Sequence, residues 1–365
     1  MKATVTNATD VKATNVKASI APGVRLGGAS FVWRPWFVLV TLVLTALTFL
    51  LFCLSISVGD FSIGVPRVIA TIFGQGERVD RFVIMDLRMP RALAGLVVGI
   101  ALGVSGAITQ SIARNPLASP DILGITGGAG VVAVFLVTAS GGAAATIATA
   151  GVSAAALAGG LGTGLLVYFL AWRRGVDGFR LILIGISVSA VMQAITNWLL
   201  VRADIRDVAR AQAWLVGSLD GRSWAEVRIA LWCGVALLVV VAAGAFQFGP
   251  LQFGDDVAAG LGVRYARVRA VMLLCAVLLA GVAVSAAGPV PFVALVAPQV
   301  AMRLVRHPTP PLLVSGVVGA LLLIGADLVA RTALPVSLPV GVVTAAIGGP
   351  FLVYLLVRAN LRKAM

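Results

Sequence analysis

Histidine occurs once in this 365-residue chain and cysteine three times. His307 stands alone beside Pro308, and Cys53, Cys233 and Cys275 each lie singly in an apolar run. Neither a protein-built zinc or haem site nor a disulfide framework is expected from that supply. Charge is scarce too: 12% of residues are charged, about half the roughly 25% of an ordinary soluble domain. A soluble fold of this length has no means of covering its surface with so few charges. No Walker-type glycine-rich loop occurs, and no nucleophile–base arrangement is recognisable, which sets aside a polytopic membrane enzyme. If the protein moves something uphill, its energy source belongs on another chain.

What is abundant is apolar sequence, 60% of the chain. A helix crossing the hydrocarbon core needs about 20 such residues, so uncharged runs count directly as crossings. They fall at Trp36–Gly59, Ala92–Ala113, Ile122–Ala139, Ala143–Trp172, Leu181–Val201 and Ile229–Phe248. The long run Ala270–Met302 is divided by Gly288-Pro289-Val290-Pro291, giving a seventh span and a short eighth to about Val305. Pro311–Ala330 and Val340–Val357 complete ten. The fold class expected is all-α, a polytopic membrane protein over residues 34–365. The polar segment 1–33 reads as a disordered cytoplasmic tail, not a cleaved signal peptide.

The net charge of +14 would suggest nucleic acid in a soluble protein. Sorted by loop, with the N-terminus inside, 17 of the 28 bases but five of the 14 acids fall on the cytoplasmic side. That asymmetry is the positive-inside signal, with both termini cytoplasmic, and no nucleic-acid partner is expected. Within the spans the one ionisable residue is Asp327, four residues before Arg331. An i,i+4 ion pair is its plainest reading. A stand-alone secondary transporter or channel, the alternative reading, would need a coupling-ion site or charged filter that these spans offer only at Asp327. Gly95, Gly99 and Gly103 form two successive G-x-x-x-G steps, expected to let helix backbones pack closely.

Several other segments carry more specific patterns. "LRMPR" (Leu87–Arg91) leads into the second span, and "RNPLASPDILG" (Arg114–Gly124) is a stiff turn after it. In "LQFGDDVAAGLGVRYARVRA" (Leu251–Ala270), Asp255 and Asp256 suit a helix N-terminus and Gly262 a helix end, with three arginines following. By pattern alone it is equally a basic juxtamembrane loop. "WLVGSL" (Trp214–Leu219), "GPVPFVALVAP" (Gly288–Pro298) and "LPVGVVTAAIGGPFLVYLL" (Leu338–Leu356) complete the set.

In that order and spacing these stretches resemble the FecCD-type permeases, membrane subunits of ATP-binding-cassette importers for ferric siderophores, haem and cobalamin. The resemblance spans about residues 36 to 358. It implies a type II ABC importer permease fold in the cytoplasmic (inner) membrane. It also implies a second permease, the same chain or a related one, two ATPase subunits holding ATP-Mg, and an extracytoplasmic binding protein. A ferric siderophore is the cargo it favours, with cobalamin or haem as alternatives, and no cofactor is expected on this chain. Carried over residue by residue, Asp255, Asp256, Ala259, Gly260, Leu261, Gly262 and Arg264, within a cytoplasmic segment about 251–269, match the ATPase coupling element. Asn115 and Leu117 match the cytoplasmic gate, and Arg88, Arg91 and Arg331 match positions that dock the binding protein. Two positions depart from the family: Gln299 stands where histidine is frequent, and Ser337 where glutamate is frequent.

Overall fold

The computed structural model describes residues 23–26, 29–32, 34–59, 63–139, 149–172, 178–253, 260, 264–333 and 337–364. Two short antiparallel strands, β1 (Gly23–Leu26) and β2 (Ala29–Val32), pair within the segment expected to be disordered. Their Val, Leu and Phe residues favour extended backbone, and the intervening sequence is Gly27-Gly28, a favoured hairpin pair. Everything else regular among the described residues is helical.

Helix α1 (Pro35–Ser57) begins on Pro35, whose missing N–H costs nothing at a first turn. The short helices α2 (Val65–Ile72) and α3 (Arg78–Arg81) follow, and a π-helical stretch, Phe82–Arg88, runs from α3 into α4 (Met89–Ala113). Helix α4 ends where Arg114 turns left-handed (φ 49°) ahead of Pro116. A 3-10 turn, Pro120–Leu123, then precedes α5 (Ile125–Ala139). The third span was expected to start at Ile122. It starts later because Gly124, at φ 77°, separates the turn from the helix.

Then come α6 (Thr149–Ala171), α7 (Gly178–Val201), the amphipathic α8 (Ile205–Leu215) and α9 (Trp224–Phe248). A Ser223–Glu226 capping box starts α9 before its apolar run. A 3-10 turn, Gly249–Phe253, is followed after residues 254–263 by α10 (Tyr265–Ala287). The last helices are α11 (Val293–Leu304), α12 (Leu312–Thr332) and α13 (Val340–Ala364).

Eight of these helices are long and apolar enough to cross a membrane. Two shorter apolar ones, α5 and α11, stand where the third and short eighth spans were expected. With 15 and 12 residues they rise only about 18–22 Å, less than the roughly 30 Å hydrocarbon core.

Helix α4 is the centre of the bundle. Its most apolar window is 78% buried, against 11% for α1 and for α7. Small residues explain how a helix is enclosed so completely. A methyl group at Gly99 would stand 2.5 Å from the Cα of Ala320, and one at Gly103 would strike the Ser315 carbonyl. On the facing helix, Gly319 lies against the Gly99 carbonyl. Backbone therefore meets backbone along α4 and α12, the close approach that small residues permit between membrane helices. Gly95 differs, because a methyl there would meet only the side-chain ends of Leu219 and Ile324, at 3.3 and 3.4 Å.

Gly103→Ala is accordingly expected to cost about 1–3 kcal/mol through overpacking. Gly95→Ala should be close to neutral, because two flexible side chains can yield. Unfolding of the purified variants in graded denaturing detergent checks the ranking, and equal losses at both positions would contradict the backbone contact.

Candidate functional site

The motifs gather at the two ends of the bundle. At the end where α4 begins, four of them meet. Ser218 N–H donates to Ala287 C=O at 2.8 Å, and Gly341 N–H donates to Gly217 C=O at 3.2 Å. Those two bonds join Trp214–Leu219 to the end of α10 and to the start of α13. Gly217 and Gly288 both hold positive φ (74° and 72°), and a methyl on Gly288 would stand 2.7 Å from the Trp214 carbonyl. Only glycine fits this crossing of loops.

The fourth motif, Leu87–Arg91, brings arginines to the same end. Arg91 holds Asp327 with a two-pronged contact, Nε and Nη2 lying 3.1 and 2.9 Å from Oδ1. Its Nη1 donates to Asp220 Oδ1 at 2.7 Å. Asp327 is 2% exposed and also lies 3.6 Å from Arg331 Nε, the expected i,i+4 pair. The acid that hydropathy placed within the ninth span is thus neutralised from two sides.

Arg331 reaches further. Its Nη1 donates to Val58 C=O at 2.8 Å, and its Nη2 donates to Ser55 C=O and the Ser55 hydroxyl at 2.6 and 2.8 Å. Arg88, 8% exposed, donates Nη1 to Ile56 and Ser57 C=O at 2.9 and 3.1 Å. The last carbonyls of a helix lack intrahelical donors and carry partial negative charge. Helix α1 has no basic residue in its own last turn, so Arg88 and Arg331 supply the cap from elsewhere in the chain. The three arginines matched to docking positions therefore all have partners inside this chain. The arginines exposed at this end, Arg67, Arg78, Arg81, Arg202, Arg206, Arg210 and Arg228, did not stand out in the sequence, where no motif marks them.

At the opposite, basic end, Asn115 Oδ1 accepts the Leu117 N–H at 3.0 Å, and Asn115 C=O accepts the Ala118 N–H at 3.1 Å. This side-chain-capped turn fixes both gate candidates. Asp121 follows, half-buried, accepting hydroxyl bonds from Thr126 (2.6 Å) and Ser119 (3.0 Å). Loss of water raises its pKa, and the two hydroxyl bonds oppose that rise. A carboxyl raised in this way favours the fold most when protonated, and that contribution falls as pH rises through the folded value.

Leu117 lines a cavity of about 560 Å³ between the ends of α11 and α13, and Asn115 lines an adjoining one of about 270 Å³. Gln299 borders both. Of the coupling candidates, Asp255, Asp256, Ala259, Leu261 and Gly262 lie outside the described residues. Gly260 is exposed with open space around it, and Arg264 is exposed at the start of α10, its carbonyl accepting from Arg267 and Val268 N–H. Among the described residues no group of three or more His, Cys, Asp or Glu side chains is placed to hold a metal ion.

Removing the Asp327 charge leaves Arg91 only the exposed Asp220 and leaves Arg331 without its i,i+4 partner. Breaking a buried pair of this kind costs about 3–5 kcal/mol, so Asp327→Ala should lose most folded protein. Asp220, with its side chain 76% exposed, contributes at most about 1 kcal/mol, and Asp220→Asn should fold normally. Yield of monodisperse protein after detergent extraction distinguishes the two; equal yields would mean that Asp327 is not the anchor.

Comparison with known proteins agrees with this architecture. The FecCD transport family matches residues 47–358. A probable siderophore transport system permease of Bacillus subtilis is 41% identical over 340 residues, covering 92% of this chain and 98% of its own. The ferric enterobactin transport system permease of Escherichia coli is 40% identical over 308 residues, covering 84% and 91%. A cobalamin import permease of Halobacterium salinarum is 37% identical over 296 residues, covering 80% and 75%. Among solved structures, an inward-facing conformation of a transporter provisionally assigned as metal-chelate type ABC superposes with a TM-score of 0.74 at 25% identity. It covers 88% of this chain and 99% of that one. With eight long apolar helices, motifs meeting at both ends and relatives matched over nearly their whole length, this multi-pass membrane protein belongs to the FecCD transport family.

Proposed function

We propose that this chain is the permease subunit of an ABC importer that carries a ferric siderophore across the cytoplasmic membrane, with both termini inside. The observation that carries the proposal is the neutralisation of Asp327 by Arg91 and Arg331 in a chain of this family. The acid that the sequence places deep in a span, Asp327, is occupied in structure, so the energy for alternating access enters from partner ATPase subunits bearing ATP-Mg. The named siderophore permeases among its relatives support the cargo. The metal travels inside its chelator and asks no ligands of the protein.

A binding protein delivers the chelate at the end where the four motifs meet. There the exposed Asp220–Arg91 contact is cheap to exchange, so an incoming acidic side chain replaces Asp220 while Asp327 keeps Arg91 in place. Arg88 and Arg331 support that rim by holding the end of α1. A second permease, identical or related, completes the passage. On the exposed face of α7, Gln193 donates to Asn197 at 3.0 Å, and amides there are costly against lipid tails. That face belongs to the passage or to the second permease. The coupling element is Asp255–Gly262 with Arg264, docked in the ATPase.

Two experiments test this reading. A strain lacking the gene should lose uptake of radio-iron presented on at least one siderophore, and an ATPase-dead partner should reproduce the loss. Unchanged uptake of every siderophore, haem and cobalamin would remove the cargo assignment. Single cysteines at Asp256, Gly260 and Arg264 should cross-link to the ATPase subunit in membranes. Failure at all three positions counts against the coupling role.

A further inference from the structure

Helix α13 carries Gly348-Gly349-Pro350 near its middle, and its two halves are held differently. The outer half is fastened by backbone. Gly341 N–H donates to Gly217 C=O, and a methyl on Gly341 would strike the Val216 carbonyl. Val340, Thr344 and Gly348 are buried on this half, and the Thr344 hydroxyl donates to Gly341 C=O at 3.0 Å. Between Phe351 and Arg358 the one buried residue is Leu355, while Val353, Tyr354, Leu356 and Val357 are exposed. Leu355, Leu356 and Arg358 line the cavity of about 560 Å³ together with Pro116 and Leu117 of the gate turn.

The segment between the halves is built to bend. Pro350 offers no N–H to the Ala346 carbonyl, and a proline ring crowds the carbonyl four residues before it. Glycine leaves the backbone freer than any other residue, and Gly349 has open space around it. Sharp kinks in long helices fall at such positions.

A strained residue bears on the same point. Phe292 has φ 67° and ψ −23°, a left-handed conformation that is rare for a bulky side chain. Pro291 C=O accepts the Val293 N–H at 2.9 Å, closing a three-residue turn around it. Phe292 C=O accepts from Leu295 and Val296 N–H at 3.0 and 2.8 Å, which starts α11. Its side chain lies against Gly348, where an added methyl would collide with both Cβ and Cγ. Beside that contact is an apolar void of about 20 Å³, bordered by Val296, Leu322 and Ile347. Apolar voids stay dry, so the ring and the helix have slack at this one place. Backbone strain persists only where the surroundings impose it, and it clusters at switch regions.

We infer that Gly348-Gly349-Pro350 is a hinge on which the inner half of α13 turns relative to Leu117, with Phe292 as the positioning residue that sets its angle. The outer half stays with the loop crossing at Gly217, so the cavity wall moves while the outer end is undisturbed. The purpose of the hinge rests on the gate reading of Asn115 and Leu117; its existence rests on α13 alone.

The test uses the intact transporter complex in lipid nanodiscs, with Cys53, Cys233 and Cys275 replaced by alanine and one labelled copy of this chain. Spin labels at Val357 and Phe246 report the inner half of α13 against α9, which packs on α4. Labels at Val342 and Ile229 report the outer half, and all four positions are exposed. Between the nucleotide-free and ATP–vanadate states, the inner distance should change by about 2 Å or more and the outer distance should not. The double variant Gly349→Ala, Pro350→Ala, which makes the helix regular, should abolish the inner change. Phe292→Gly should broaden the inner distance distribution and leave the outer one narrow, whereas a general loss of packing broadens both. Equal changes in both distances mean that α13 moves as one body and overturn the hinge, as does an inner change that survives the double alanine variant. Reactivity of Leu117→Cys toward an impermeant thiol reagent separates the two readings. An inner change with constant reactivity there keeps the hinge and removes the gate. Altered reactivity with α13 still removes the hinge and keeps the gate, and no change in either overturns both. Should a variant fail to assemble, the two distances in the otherwise unaltered chain decide.

Discussion

The contact on which the rest of this molecule depends is the backbone seam between α4 and α12, where Gly99 and Gly103 face Ser315, Gly319 and Ala320. Hydrophobicity alone does not drive helices together in lipid, because the tails are as apolar as leucine. Close packing supplies the attraction instead, and it sets the distance at which polar groups on the two helices meet. Arg91 reaches Asp327 because the seam holds α4 and α12 together one end further along. At the other end of α4, Gln110 meets α11 in the same way. Both candidate functional ends hang from one dry interface.

The crowding of α11 against α4 has a chemical origin. Pro298 lies inside α11, so the Ala294 carbonyl loses its intrahelical donor. That carbonyl lies directly against Gly106, where a methyl group would collide with it. Gln110, one turn further along α4, donates to the neighbouring Leu295 carbonyl. The proline is accommodated because Gly106 of α4 leaves room for the Ala294 carbonyl.

Much of this was legible in the sequence. Uncharged runs locate the helices because lipid imposes length and polarity, and the G-x-x-x-G steps announce the seam. The Asp327–Arg331 pair follows from helical spacing. Its second partner did not, because Arg91 and Asp327 are 236 residues apart, and no local pattern encodes such a meeting. The arginines near the docking rim show the same limit. A motif marks Arg88 as important without saying whether it faces a partner or caps a helix, since both uses require the same guanidinium. The late start of α5 turned on one left-handed glycine, Gly124, which hydropathy does not register.

The cap on α1 also has a consequence for biogenesis. The donor and acceptor of the Arg331–Val58 bond are separated by 273 residues. At about 5–20 residues per second of synthesis, α1 waits roughly 14–55 s in the bilayer before the Arg331 half of its cap is made. Through that interval the Ser55 and Val58 carbonyls have water or lipid headgroups for partners, while Arg88, only 31 residues from Ser57, already serves Ile56 and Ser57. The first helix made is thus fastened in two stages. Completion of the ninth span, rather than insertion of the first, decides when the bundle becomes one body.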